Sequence, residues 1–383
     1  MIIKFQKRTN PITGTSAIWI RLGFFVVGLI VLAFILLLVG VDPISLYKTI
    51  IETNINLFPS TLARFITLLC IGIGLAIPFK ARVDNIGAEG QYIIGTLAGY
   101  GTAVYFSYLP TIILIPLMFI NGFILGALWA LPIVFFRARG GFQGADVVVS
   151  FLLVFPAFFL MKYLITAGPA VWRDPGGFSY SSIIPEQAQI PKLNFKIPLP
   201  KLTIPFLDIS LPDSWNFSVV HVTIFLVLII TILAYYYLFR TVDGIPKTKL
   251  AYEINVTGKN RLAGQTAGMS FFKVILITLI LSGGLAGIAG VGEIAGSQHR
   301  LTPDSSGYGF TAIVVAYLGG LNPIGIIFSA LFFAALIVGG TAIKIGNLPS
   351  TGVDLFSGTI LLFVLLSEFF LRYTINWRST TDG

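Results

Sequence analysis

Four long stretches of the chain contain no Asp, Glu, Lys or Arg: residues 22–41, 90–136, 214–239 and 305–343. A membrane-crossing helix needs about 20 predominantly apolar residues, so the second and fourth stretches hold two helices each. Windows 57–79, 147–167, 274–295 and 355–371 are comparably apolar, interrupted by Arg64, Lys162, Glu293 and Glu368. With turns at 108–111 and 319–323, the pattern predicts about ten crossings. Residues 308–318 are short for a full crossing and fit a re-entrant half-helix. Two polar segments break the sequence of apolar windows. Residues 168–213 carry Pro169, Pro175, Pro185, Pro191, Pro198, Pro200, Pro205 and Pro212, which forbid a long helix and predict an extended, partly ordered cap. Residues 240–273 form the other polar segment.

Composition sharpens this picture. With 56% hydrophobic and only 11% charged residues, against about 25% charged in soluble domains, the chain cannot cover itself with polar surface. We therefore expect an all-α polytopic membrane protein, residues 1–383 forming one membrane domain. The net charge of +9, from 25 Lys and Arg against 16 Asp and Glu, would suggest nucleic acid in a soluble protein. Here it outlines cytoplasmic loops, and no nucleic-acid partner is expected. Arg240, Lys247, Lys249, Lys259, Arg261 and Lys273 outnumber Asp243 and Glu253, which places 240–273 in the cytoplasm. Parity puts Lys80/Arg82, Arg137/Arg139 and the tail with Arg372 and Arg378 on the same side. The N-terminal segment with Lys4, Lys7, Arg8 and Arg21 precedes an apolar stretch too long for a signal peptide, so both ends are expected inside. Segment 168–213 falls outside, where Arg173, Lys192, Lys196 and Lys201 balance Asp174, Glu186, Asp208 and Asp213. A single cysteine, Cys70, excludes an intrachain disulfide, and the distant His221 and His299 make no metal motif.

Ionisable groups inside a membrane are costly and usually functional. Glu89 lies in Asp84-Asn85-Ile86-Gly87-Ala88-Glu89-Gly90-Gln91, a polar, glycine-rich approach to a long apolar stretch, as in broken transporter helices. The alternative places it simply at the cytoplasmic helix end near Lys80 and Arg82. Glu293 follows the small-residue run Ser282 to Gly292 and either lines a solute path or snorkels outward near His299 and Arg300. The glycines themselves read first as helix-packing devices. Lys162, Lys344, Glu368 and His221 are expected near helix ends, where long side chains snorkel. Openings at 85–91 and 304–310, one inside and one outside, have the relation expected of an inverted-topology repeat with re-entrant segments. No phosphate-binding Gly-x-x-x-x-Gly-Lys-Ser/Thr, nucleophile elbow or paired-histidine motif occurs, so no enzyme activity is expected. Residues 252–270 fit a short helix on the membrane surface that inserts into a soluble partner, or an ordinary solvated loop.

At these residues the chain resembles the permease subunit of a bacterial ABC importer of the branched-chain amino acid and ribose type, in its nucleoside-permease branch. The resemblance rests on Asn85-Ile86-Gly87-Ala88-Glu89-Gly90-Gln91, on Ala267-Gly268, and on Ser282-Gly283-Gly284-Leu285-Ala286-Gly287-Ile288-Ala289-Gly290 with Glu293. Gly307-Tyr308-Gly309-Phe310 and Leu318-Gly319-Gly320-Leu321-Asn322-Pro323-Ile324-Gly325 complete it, in family order over residues 58–340. Two blocks depart from the family pattern: 251–260 replaces an Arg-Ala-Val-Gly-Glu-Asn opening, and in 140–150 Asp146 stands where a glutamate is usual. The resemblance implies a multi-pass protein of the bacterial plasma membrane that forms half of a translocation pathway. It implies a second, commonly different permease chain, an ATP-binding cassette subunit that carries ATP and Mg, and an extracytoplasmic substrate-binding lipoprotein. This chain would then hold no cofactor. A neutral, hydroxyl-rich nucleoside needs hydrogen-bond partners, so Asn85, Glu89, Gln91 and Glu293 are pathway candidates. Asn255, Gly258, Ala263, Gly264, Ala267 and Gly268 are candidates for coupling to the ATPase. A sugar or branched-chain amino acid is the alternative solute, and a proton-coupled secondary transporter is the alternative class.

Overall fold

A computed structural model describes residues 2–8, 12, 15–138, 144–204, 209–242, 244–345, 358–360, 362–364, 366–367, 369–371 and 373–378. Helices dominate: α1 (Thr15–Leu38), α2 (Pro43–Asn56), α3 (Phe58–Lys80), α4 (Ala88–Tyr105), α5 (Thr111–Trp129), α6 (Leu131–Ala138), α7 (Ala145–Leu152), α8 (Val154–Thr166), α9 (Thr223–Ala234), α10 (Lys249–Lys259), α11 (Arg261–Thr266), α12 (Phe271–Glu293), α13 (Tyr308–Leu318) and α14 (Pro323–Ile345). Six helical stretches are long and apolar enough to cross a bilayer. α4, the helix Thr223–Phe239, α13 and the stretch Gly358–Leu371 fill the remaining predicted windows. The all-α polytopic class follows. Lys344's side chain, Arg139, residues 140–143, Asp208, Glu368 and Arg372 lie outside the described residues.

Two compact units are present. One comprises 1–56, 202–211 and 335–383. Within it, Tyr47 Oη donates to the Leu29 carbonyl (2.6 Å) and Asn54 Nδ2 to the Ala335 carbonyl (3.0 Å). Strands Ile2–Lys7 and Tyr373–Arg378 pair antiparallel, Ile2 opposite Arg378 and Lys7 opposite Tyr373.

The other unit, 57–201 and 212–334, is built on α12, which packs against α3, α4 and α5. Its glycines make this possible. A Cβ on Gly287 would overlap the Gly122 carbonyl of α5, and one on Gly95 of α4 would overlap the Gly287 backbone. Helices approach this closely in membranes only through small residues, so the glycine run is a packing device, as its first reading held. Local chemistry sets the helix ends: Ser270 Oγ accepts from Lys273 N (3.3 Å) at the start of α12, and Thr248 Oγ1 from Ala251 N (3.2 Å) at the start of α10, each satisfying an otherwise orphaned amide.

The basic loops predicted to share a side do meet. Arg137 Nη2 donates to the Arg82 carbonyl (3.4 Å), the Lys80 ammonium lies 4.3 Å from the Phe239 ring centroid, and Gly258 packs on the Lys80 carbonyl. Arg137 also reaches Asp146 (3.4 Å), whose carboxylate accepts from Asp84 N (3.0 Å). Part of the proline-rich segment is held by backbone bonds from Ser181, Ile184 and Ile190 to Leu301, His299 and Ala295 (2.9–3.0 Å).

Two readings need correction. His221 stands two residues before α9 but is fully buried, its ring against Gly296, because an imidazole has no flexible stem with which to reach water. Glu293 does not snorkel; it too is fully buried. The openings at 85–91 and 304–310 meet: a Cβ on Gly309 would overlap the Glu89 backbone.

Candidate functional site

Between α3 and α4, residues 83–86 have no regular secondary structure, leaving backbone groups that side chains must satisfy. Asn85 and Gln91 do this as a reciprocal amide pair. Asn85 Nδ2 donates to Gln91 Oε1 (2.9 Å), Gln91 Nε2 returns a bond to Asn85 Oδ1 (3.1 Å), and Gly87 N donates to that same oxygen (3.2 Å). Asn85 Nδ2 also reaches Ser282 Oγ on α12 (3.0 Å). Three elements thus converge on one buried polar group.

Glu89, in the first turn of α4, is fully buried and caps another helix. Its Oε1 accepts from Ser305 Oγ and from Gly307 N (3.1 Å), and its Oε2 from Gly309 N (2.5 Å). These amides form the N-terminus of α13, where unsatisfied N–H groups and the macrodipole amount to about half a positive charge. The carboxylate therefore has a counter-charge without any cationic side chain. α13 has 11 residues, a rise of about 16 Å, roughly half the hydrocarbon core of about 30 Å, as a half-helix requires.

Glu293, near the end of α12, finds a formal cation. Its Oε1 accepts from Arg64 Nη1 (2.7 Å) and Gln298 Nε2 (3.2 Å), and its Oε2 from Thr67 Oγ1 (3.0 Å). Arg64 lies 6.0 Å from the Tyr308 ring centroid, and Tyr308 meets Tyr92 edge-on at 6.0 Å, which joins the two carboxylate clusters. Beside them a cavity of about 20 Å³ is lined by Tyr92, Thr96, Gln298, Asp304, Ser305 and Ser306 among others. That volume and polar lining suit about one water molecule. No group of three His, Cys, Asp or Glu side chains suited to a metal gathers among the described residues.

The structure thus joins Asn85 with Gln91, sets Glu89 on the start of α13 and holds Glu293 in a third cluster with Arg64. The coupling candidates lie elsewhere, at the end marked by Lys80. Asn255 bonds within α10 (to the Ala251 carbonyl, 2.9 Å), and Asn260 caps α11 through Ala263 N (3.1 Å). α11 ends where Met269 N donates to the Gly264 carbonyl and Gly268 N to the Gln265 carbonyl (both 3.0 Å). This Schellman closure needs Gly268 at φ +77°. Ala263 and Ala267 are exposed and Gly264 is buried, so α11 rests on one side and offers the other outward.

Sequence reading missed Arg64, Thr67, Ser282, Ser305 and Tyr308. Arg64 was visible as a charge interrupting an apolar window, and a buried charge calls for a partner. Ser305-Ser306-Gly307 ahead of an apolar helix was likewise a cap signal.

Residues 57–365 match the family of permease components of branched-chain amino acid transport systems. The chain belongs to this permease family. Among curated proteins, the permease is 35% identical over 345 residues to the glucose ABC transporter permease protein TsgB13 of Haloferax volcanii, covering 89% of this chain and 85% of that one. It is 26% identical over 356 residues to the guanosine ABC transporter permease protein NupP of Bacillus subtilis, covering 91% and 93%. The nucleoside ABC transporter permease protein NupB of Lactococcus lactis shows the same identity and length of match, covering 91% of each chain. No solved structure matches the permease. As a permease component it is not itself an enzyme, and membership implies ATP-binding and substrate-binding partners.

Proposed function

We propose that this permease forms half of the pathway of an ATP-driven importer for a neutral, hydroxyl-rich solute of the nucleoside or hexose class. The observation that carries this reading is charge compensation at the re-entrant site. Glu293 is matched by Arg64 and Glu89 by the α13 N-terminus, leaving amides and hydroxyls as the groups with hydrogen-bonding capacity toward a solute. Such groups suit sugar and ribose hydroxyls and give a fixed ionic charge no counter-ion. The glucose relative at 35% identity and the nucleoside relatives at 26% support the class without separating its members.

In this reading a separate ATP-binding cassette subunit, which holds ATP and Mg, docks on α10 and α11. A second permease chain completes the path, and an extracytoplasmic binding protein delivers the solute. α3 gives the push a physical route, since Gly258 packs on the Lys80 carbonyl at one end of that helix while Arg64 and Thr67, further back along it, hold Glu293. The test is reconstitution in proteoliposomes with the partner ATPase and binding protein, using labelled guanosine and glucose. ATP-dependent uptake of one of them, unaffected by charged nucleotides, is expected. Uptake by the permease alone under a proton gradient, or preference for a branched-chain amino acid, would overturn it.

A further inference from the structure

We propose that the permease holds a membrane phospholipid on its flank, in the leaflet on the side of the 168–213 segment. Two adjoining cavities carry the inference. The first, about 640 Å³, is lined by apolar side chains of α4, α5 and α8, among them Ile94, Leu97, Ile124, Leu128 and Leu164, and is roofed by Trp172. Its wall on α4 runs from Ile94 to Tyr105, a rise of about 16 Å, which is close to the depth of one leaflet of a core about 30 Å thick. α5 and α8 are largely unburied along their apolar lengths, so the groove opens where lipid chains are the surrounding solvent.

The second cavity, about 550 Å³, is lined by the sequence neighbours of residues that line the first: Ile165 follows Leu164, and Arg173 follows Trp172. It is lined by Thr166, Arg173, Asp174 and Ser179 among others, beyond the end of α8. Between the two, Trp172 Nε1 donates to Tyr105 Oη (3.0 Å) and its indole packs against Tyr100, ring centroids 5.0 Å apart. Aromatic side chains of this kind belong at the headgroup level. The Arg173 side chain is exposed, with no ion-pair partner among the described residues. Asp174 spends one oxygen on Gly176 N (2.8 Å) and keeps acceptor capacity. One cation and one anion side by side at the mouth of a leaflet-deep apolar groove complement a zwitterionic headgroup: guanidinium to phosphate, carboxylate to ammonium. A partner helix would fill the groove but would leave the charged cavity unexplained, which favours lipid.

Native mass spectrometry of the permease released from nanodiscs of phosphatidylethanolamine tests this. The wild type should retain about one lipid per chain through a detergent wash. Ile124→Trp, which fills the groove, and Arg173→Glu, which repels the phosphate, should each retain at least fivefold less. Ile112→Trp, on an exposed position of α5 outside the groove, should retain as much as the wild type and controls for folding. A photoreactive residue at position 124 should form lipid adducts. Equal retention in all variants, or crosslinks from position 124 to another protein chain in place of lipid, would overturn the proposal.

Discussion

The Arg64–Glu293 pair allows a prediction in which two halves of one interaction differ in cost. The Glu293 side chain is 1% exposed and that of Arg64 35%. With charge centres about 4 Å apart, their attraction is about 4 kcal/mol at an effective dielectric of 20, most of it offset by desolvation. Arg64→Met leaves a carboxylate with only Thr67 and Gln298 for company in a site it cannot leave. The cost should approach the 3–5 kcal/mol typical of an orphaned buried charge. Glu293→Gln leaves the charge on Arg64, whose side chain is already partly exposed and long enough to reorient, so about 1–2 kcal/mol is expected. The double variant removes the orphan and should be more stable than Arg64→Met alone, despite carrying one more substitution. Thermal unfolding of the detergent-purified protein followed by size-exclusion fluorescence ranks all four forms. Equal losses in the single variants, or losses that simply add in the double, would refute the reasoning.

Other outcomes follow from the same geometry. Gly287→Leu should abolish the folded monomer peak, since its first carbon already overlaps α5. Gly264→Ala, whose Cβ would meet its nearest neighbours at 3.5 Å and 3.6 Å, should be neutral or stabilising by about 0.5 kcal/mol, and a lost peak there would contradict the packing argument. Gly268→Val forces a branched residue into a left-handed conformation at about 1–2 kcal/mol; ATPase activity of the assembled transporter should then continue while uptake falls, and full uptake would remove α11 from the coupling route. Glu89→Gln should speed amide exchange at 307–311 by loosening the α13 cap, at about 1 kcal/mol, with unchanged exchange as the refuting result. Burial, then Lys192, then His299 hold His221 down to about 4 from 6.5, so the folded chain binds fewer protons than the unfolded chain between those values. Stability should therefore fall as pH drops from 6.5 toward 4, by up to roughly 3 kcal/mol. Melting at pH 7.5 and 4.5 should show a smaller drop for His221→Phe than for the wild type, and identical drops would exclude His221 as the source.

The helices were legible in the chain because a bilayer imposes a simple rule: long uncharged runs become apolar helices, six of which are long enough to cross among the described residues. The shared side of Lys80, Arg82 and Arg137 was legible for the same reason, from parity. Pairings across hundreds of residues were not. Nothing in the local pattern joins Arg64 to Glu293, and charge compensation by a helix terminus leaves no mark on composition, so Glu89 read as an unmatched acid in need of a role. Its location in a polar, glycine-rich break was visible; its bonds to Gly307 and Gly309 were not, since they depend on how two segments far apart in sequence pack together. The short strands near either end of the chain escaped notice because six residues in an overwhelmingly helical sequence carry too little periodicity to stand out.

Those strands impose an order on synthesis. Residues 2–7 are made before the helices that follow them, and their hydrogen-bonding partners, 373–378, after. A nascent chain must carry an unpaired strand edge through insertion of the spans between the two. The strands can close only once residues 373–378 have been made, so their pairing would follow the placement of the helices they enclose.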